Sequence, residues 1–150
     1  LQAMTILMPA MRKNQPTGGR GLVLLGTIEG DIHDLGKKQT AFLLVANGFD
    51  VLDLGVDVAV ADFWVQAILK KPILIGVSVM MRGCLRAVKR MVGQLDTAFK
   101  GLERPPIFVS GVAVNPDVYT LTGADHYVSD AFKAVDLAMK ISQNKNKTLI

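Results

Sequence analysis

Residues 21–37 read GLVLLGTIEGDIHDLGK and carry the pattern that the rest of the chain repeats. Its opening, Gly21–Thr27, is a run of Leu and Val that is apolar on both alternating faces and too short for a helix. Such a run marks a strand buried on both sides of a parallel sheet. The more polar Ile28–Asp34 makes a loop. From Leu35 to Asn47 apolar residues return at helical spacing, and Gly48 is placed to end that helix. Strand, loop and helix in this order form the first half of a βαβ unit.

The rest of the chain repeats the pattern. Phe49–Leu54, Ile73–Val79, Pro106–Ser110 and His126–Val128 read as further strands. Ala61–Lys71, stopped before Pro72, and Leu85–Lys100, followed by Gly101, read as helices. Asn115–Thr122 is a short helix or turn, Asp130–Ser142 a last helix, and Gln143–Ile150 is expected to fray. Ahead of the sheet, Ala3–Lys13 reads as a short helix broken by Pro9, and Asn14–Arg20 as a linker. Alternating strands and helices with right-handed crossovers predict an α/β fold. The expectation is a doubly wound, five-stranded parallel sheet of flavodoxin-like or Rossmann-like type, in the order 2-1-3-4-5, with a short N-terminal helix. Ligands of such sheets sit at the carboxyl ends of the strands, where the order reverses between strands 1 and 3. Three loops meet there: Ile28–Asp34, Met80–Cys84 and Gly111–Pro116.

Composition removes several function classes. The chain has 150 residues, room for one domain with a substantial core. Half of it is hydrophobic, yet no apolar run approaches the roughly 18–20 residues that span a bilayer. The single cysteine, Cys84, excludes an internal disulfide, and with only His33 and His126 beside it a conventional zinc site has no ligand set. That usage and the missing signal peptide suit a cytoplasmic protein. The net charge of +4 hints weakly at anionic partners. The densest basic cluster, Arg82, Arg86, Lys89 and Arg90, has the spacing of a solvated helix face. With 6% aromatic residues there is no stacking platform, so nucleic acid is not an expected partner.

The first loop is neither a dinucleotide fingerprint nor a P-loop, because G-x-G-x-x-G and the Gly-Lys-Ser/Thr ending are both missing. Its distinctive content is Asp31-x-His33-x-x-Gly36. A carboxylate two residues from a histidine can accept the imidazole Nδ1–H, fix the tautomer and leave Nε2 for a metal. Gly36 would let a bulky ligand approach the backbone. On spacing alone, the same pair also serves as a helix cap or a surface hydrogen bond.

The context of the motif goes further. The stretch Gly26–Gly36, continued by Gly48-Phe49-Asp50-Val51 and Leu54-Gly55-Val56-Asp57, resembles the cobalamin-binding domain of methionine synthase and of corrinoid methyltransferase proteins. Ser78-Val79-Met80 stands where that family has S-x-L, and Gly123–Ala131 resembles its C-terminal pattern. The resemblance implies cobalamin (methylcobalamin or another corrinoid, with cobalt) as cofactor. It places His33 as the lower axial ligand of cobalt, displacing the cofactor's dimethylbenzimidazole, and Asp31 as the group that orients His33 and holds its proton. Ser78 and Gly36 would border a deep slot for the displaced nucleotide tail. Ile32, Asp34, Met80, Ser110 and Gly111 complete the expected cofactor contacts. The implied role is a carrier that moves a methyl group on cobalt between methyl-donor and methyl-acceptor methyltransferase proteins or domains, with a corrinoid-reactivating protein as a further partner. No complete active site of its own is visible in the chain. Residues 1–16 are then the remnant of an upstream helical cap domain plus linker, and 17–145 the cobalamin-binding domain.

The chain departs from the family pattern at three places. Ser110-Gly111 replaces Gly-Gly, so Ser110 could crowd the tail. Cys84 stands where methionine synthase has a hydroxyl bonded to the relay carboxylate; a thiol is a weak donor, and Asp31 is therefore expected to lack a good third partner. Met80 replaces Leu at nearly constant volume. Two other readings stay open: a cobalamin-binding sensor module and the small subunit of an adenosylcobalamin-dependent mutase. Trp64 and the methionines Met4, Met8 and Met11 read as packing, and His126 as a residue of the last strand's edge.

Overall fold

The computed structural model describes residues 19–148, with side chains to residue 145. The expected N-terminal helix, the linker up to Gly18 and the cap-domain remnant therefore lie outside the described residues. Within them the order is β1 (Leu22–Thr27), α1 (Leu35–Ala46), β2 (Asp50–Asp53), α2 (Val60–Lys70), β3 (Leu74–Ser78), a 3-10 turn (Arg82–Cys84), α3 (Leu85–Ala98), β4 (Ile107–Ser110), a 3-10 turn (Tyr119–Thr122), β5 (His126–Tyr127) and α4 (Ala131–Thr148). All five strands are parallel and lie in the order β2-β1-β3-β4-β5. This is the doubly wound sheet that the alternation of elements predicts.

Alternation along each strand sorts its side chains between two cores. From β1, Leu24 faces one side with Ile75, Val77, Ile107 and Val109 and meets Phe63 of α2 and Val88, Met91 and Leu95 of α3. Val23 and Leu25 face the other side with Leu74 and Phe108 and meet Leu44 and Val45 of α1 and Ala134 and Ala138 of α4. Each large side chain buried this fully contributes on the order of 1.5–3 kcal/mol. Gly76 lies beneath the ring of Phe108, where an added methyl would stand 2.3 Å from Cζ. Trp64 packs against the α2/α3 core, as expected of it.

Two ends differ from the sequence reading. Of Asn115–Thr122 only Tyr119–Thr122 is a 3-10 turn, with Asn115 Oδ1 accepting the N–H groups of Asp117 and Val118 ahead of it. The last helix continues to Thr148 instead of fraying after Ser142. Ser142 is buried, with its hydroxyl donating to the carbonyl of Arg20 at 2.8 Å, and Gln and Lys beyond it cost a helix little. No helix among the described residues is long and apolar enough to cross a membrane.

The register matters most for the site. Thr27, Ser78 and Ser110 lie level at the carboxyl ends of β1, β3 and β4. The three loops singled out in the sequence therefore leave the sheet side by side.

Candidate functional site

The loop after β1 is held from both sides. On the β2 side it runs along the loop Leu54–Ala59: the Thr27 N–H donates to the Gly55 carbonyl and the Val58 N–H to that of Thr27, both at 3.0 Å. Within the loop, the Thr27 hydroxyl donates to the His33 carbonyl at 2.9 Å. On the β3 side the anchor is Asp31, whose side chain is fully buried. One of its oxygens accepts the His33 N–H at 3.1 Å and the His33 Nδ1–H at 2.7 Å. The other accepts the N–H groups of Met80 and Met81 at 2.6 and 3.1 Å. Burial acts to raise the Asp31 pKa, but these hydrogen bonds outweigh it and hold the carboxyl below its ordinary value. A carboxylate on Nδ1 assigns the ring proton to that nitrogen. Nε2 is left as a lone-pair donor with no hydrogen bond among the described residues, on a side chain that is 56% exposed.

Around this imidazole stands an apolar rim. Ile32, Leu35, Met80, Met81 and Val112 are large hydrophobic side chains left exposed at the carboxyl end of the sheet, Ile32 and Val112 by about three quarters. Met80 also ties two of the loops together, its sulfur accepting the Val112 N–H at 3.4 Å. Ser78 is buried at the end of β3. Ser110 is half-buried at the end of β4. Gly111 follows with φ +117°, where a Cβ would stand 2.1 Å from the Val79 carbonyl oxygen; only glycine fits. Gly36 differs: a Cβ there would meet nothing within 4 Å, so the space beside the first turn of α1 is open. Asp34 precedes α1 but does not cap it. Its carboxylate turns to Lys38, which lowers its pKa.

The expectation that Asp31 lacks a good third partner is corrected: the backbone of Met80 and Met81 supplies two donors in place of a side-chain hydroxyl. Cys84 is buried with its sulfur against Gly30, 3.2 Å from where that residue's Cβ would be. Burial and the carboxylates of Asp31, Asp57 and Glu29 push its pKa up, which keeps it a thiol and a poor nucleophile. Beside it, Glu29, Gly30, Asp57, Gly83 and Arg86 help to line an open cavity of about 640 Å³. His126 sits level with Phe108, two residues back from Ser110 at the carboxyl end of the sheet.

Sequence reasoning missed three supports. Lys37, in the first turn of α1, buries its ammonium against Asp53 at the end of β2. Glu29 accepts the Val60 N–H at 3.3 Å and pairs with Arg90. Asp57 accepts the Gly30 N–H at 2.7 Å. A charged residue ending a strand or entering a loop was the only signal available for them.

Among the described residues no cluster of three His, Cys, Asp or Glu could hold a metal ion. A metal at His33 Nε2 must therefore bring its other ligands with it. A flat, largely apolar macrocycle that carries its own metal fits both the lone imidazole donor and the rim around it, and the open space at Gly36 leaves room for a substituent of such a group.

Comparison with known proteins agrees. A family model described as the B12 binding domain matches residues 21–136. Dimethylamine corrinoid protein 3 of Methanosarcina acetivorans is 32% identical over 143 residues, which is 93% of this chain and 66% of that protein. A cobalamin-binding protein from Desulfitobacterium hafniense superposes with a TM-score of 0.79 at 32% identity, covering 93% of this chain and 67% of its own. The methanol:cobalamin methyltransferase complex MtaBC of Methanosarcina barkeri contains a chain matched at TM-score 0.77 and 28% identity, covering 89% of this chain and 51% of that one. The chain thus spans about two thirds of the length of the first of these relatives. With the Asp31–His33 pair at the carboxyl end of a parallel sheet of this order, the chain belongs to the B12-binding domain family and is related to the corrinoid proteins of methylamine methyltransferase systems.

Proposed function

We propose that this chain is a corrinoid carrier that shuttles a methyl group on cobalt between partner methyltransferase proteins or domains, with His33 as the lower axial ligand. The observation that carries the reading is the Asp31–His33 pair, in which a buried carboxylate with four hydrogen bonds holds an imidazole whose other nitrogen is free. When bound, the corrinoid supplies a cobalt that can accept and give up a methyl group; the protein supplies binding, orientation and proton control. His33 would offer Nε2 to the cobalt, and Asp31 would fix the ring's tautomer and hold the Nδ1 proton. Ile32, Leu35, Met80, Met81 and Val112 would cover the corrin's lower face and edge. Ser78, Gly36, Ser110 and Gly111 would border the nucleotide tail, and Asp34 would lie at the rim. Two relatives support a carrier role: one is a dimethylamine corrinoid protein, and the other comes from a complex with a methanol:cobalamin methyltransferase.

Cobalamin retention tests the reading. After incubation and gel filtration, the wild-type chain should elute with equimolar cobalt. His33→Gly should still retain corrinoid, because the rim and slot persist. Ser78→Leu should lose most of it by filling the slot. Equal retention in wild type and Ser78→Leu would contradict the proposed course of the tail, and no retention in wild type would contradict the corrinoid reading itself.

A further inference from the structure

Asp57 lies 26 residues beyond Asp31, as its number shows, in the loop between β2 and α2. It is one of two described non-glycine residues with left-handed backbone, at φ +50°. The other, Lys71 at φ +49°, ends α2 before Pro72, where a helix terminus accounts for it. No helix ends at Asp57. An L residue holds this conformation at a cost, Asp and Asn least so, and keeps it where surrounding contacts impose it.

The contacts run to the histidine loop. The Asp57 N–H donates to the Asp31 carbonyl at 2.9 Å. The Asp57 carboxylate accepts the Gly30 N–H at 2.7 Å. Residue 57 thus holds the Glu29–Gly30 peptide unit and the Asp31–Ile32 unit, which lie on either side of the Gly30–Asp31 link. It lies within the pairing of the two loops, between the Thr27–Gly55 bond and the Ile28–Val58 bridge. Asp31 in turn aims at His33 Nδ1 and is held on its far side by Met80 and Met81. With the peptide leaving Asp31 and the one before Gly30 held by Asp57, the Asp31 N–H donating to the Ile28 carbonyl at 3.1 Å, and both side-chain oxygens engaged, Asp31 has one orientation available.

We infer that Asp57 is a positioning residue: through Gly30 and the Asp31 carbonyl it sets the aim of Asp31 and thereby the tautomer and direction of His33. The geometry stands on the protein alone, while its consequence for cobalt ligation rests on the corrinoid reading. The Gly30 bond is the part a side-chain change can remove. Asp57→Gly relieves the left-handed backbone and deletes the acceptor. Asp57→Asn tolerates the backbone and keeps an oxygen acceptor.

The test is ¹⁵N NMR of His33 in the cofactor-free protein, with His126 assigned by substitution. In wild type and Asp57→Asn, the neutral His33 ring should be overwhelmingly the Nδ1–H tautomer. In Asp57→Gly, the ratio of the two tautomers should shift several-fold toward Nε2–H while the methyl spectrum of the core stays native. Should the glycine variant not fold, Asp57→Ser carries the same test, its hydroxyl being one bond shorter than the carboxylate and out of reach of Gly30. An unchanged tautomer ratio in a folded Gly or Ser variant overturns the inference. So does a shift in Asp57→Asn as large as that in Asp57→Gly. In the cobalamin-loaded protein, the fraction of cobalt(II) coordinated by His33 should fall in Asp57→Gly and recover in Asp57→Asn. If the wild type binds no cobalamin, the corrinoid reading fails and the tautomer measurement still decides the role of Asp57.

Discussion

Two glycines at the carboxyl rim separate what folding needs from what a ligand needs. Gly111 is fixed by the protein: φ +117° and the Val79 carbonyl at 2.1 Å from a notional Cβ forbid a side chain. Gly111→Ala should destabilise by about 1–3 kcal/mol through backbone strain alone, with the steric clash added to it. Gly36 has no such constraint, since a Cβ there meets nothing within 4 Å, and it sits in the first turn of α1, where glycine is costly. Gly36→Ala should therefore stabilise the cofactor-free protein by about 0.5–1 kcal/mol and weaken corrinoid retention. Urea unfolding of the free protein and gel filtration of the loaded one measure the two effects. A gain in stability with undiminished retention would remove Gly36 from the cofactor site. The residue scale is also where the sequence was most readable. Asp31 and His33 stand two positions apart, so their hydrogen bond was visible in spacing. The donors from Met80 and Met81 come from 49 and 50 residues away and are backbone groups, which no residue type announces. That is why Cys84 drew attention for a part the main chain plays.

At the scale of elements, two polar tethers fix how helices and turns meet the sheet. Lys37 and Asp53 join α1 to β2, and the burial is unequal: the Lys37 side chain is 3% exposed and that of Asp53 is 29% exposed. Asp53 keeps water and the Gly55 N–H at 2.9 Å when the lysine is gone, whereas Lys37 without Asp53 is a buried, uncompensated charge. Asp53→Ala should therefore cost about 3–5 kcal/mol, and Lys37→Met distinctly less; equal losses in denaturant unfolding would argue against this asymmetry. The second tether is Asp125, which accepts from Arg104 at 2.6 Å and from the Ile107 N–H, at the start of β4, at 2.7 Å. Burial acts to raise its pKa, but Arg104 and the Ile107 bond lower it below the ordinary 3.8. A depressed carboxyl stabilises the fold above its unfolded-state pKa and stops doing so as pH falls through the lower folded-state value. Wild type should be more stable than Asp125→Asn at neutral pH, and the gap should close as pH drops below 3.8. Thermal unfolding of both proteins across that range checks the sign. Neither tether was legible in the sequence, because each joins charged residues on different elements. The elements themselves were legible from apolar runs and punctuation such as Pro72, except the end of α4, where Ser142 is tied to the carbonyl of Arg20, 122 residues earlier in the chain.

For the whole molecule, strand order does the positioning. Alternating elements and right-handed crossovers dictate β2-β1-β3-β4-β5, and that order brings the loops after β1, β3 and β4 to one end in register. The result is one free imidazole nitrogen, no multi-residue metal cluster among the described residues and a collar of exposed apolar side chains. What the order could not reveal is how the β2 loop braces the site, because Asp57 acts through a left-handed backbone that its residue type permits but does not signal. In the proposed corrinoid carrier, His33 would supply the lower ligand of cobalt. Electron paramagnetic resonance of the cobalt(II) form, prepared with ordinary and with ¹⁵N-labelled histidine, tests it most directly. The nitrogen splitting should change with the histidine isotope and vanish in His33→Gly. A splitting indifferent to the label, arising from the cofactor's own base, would contradict it.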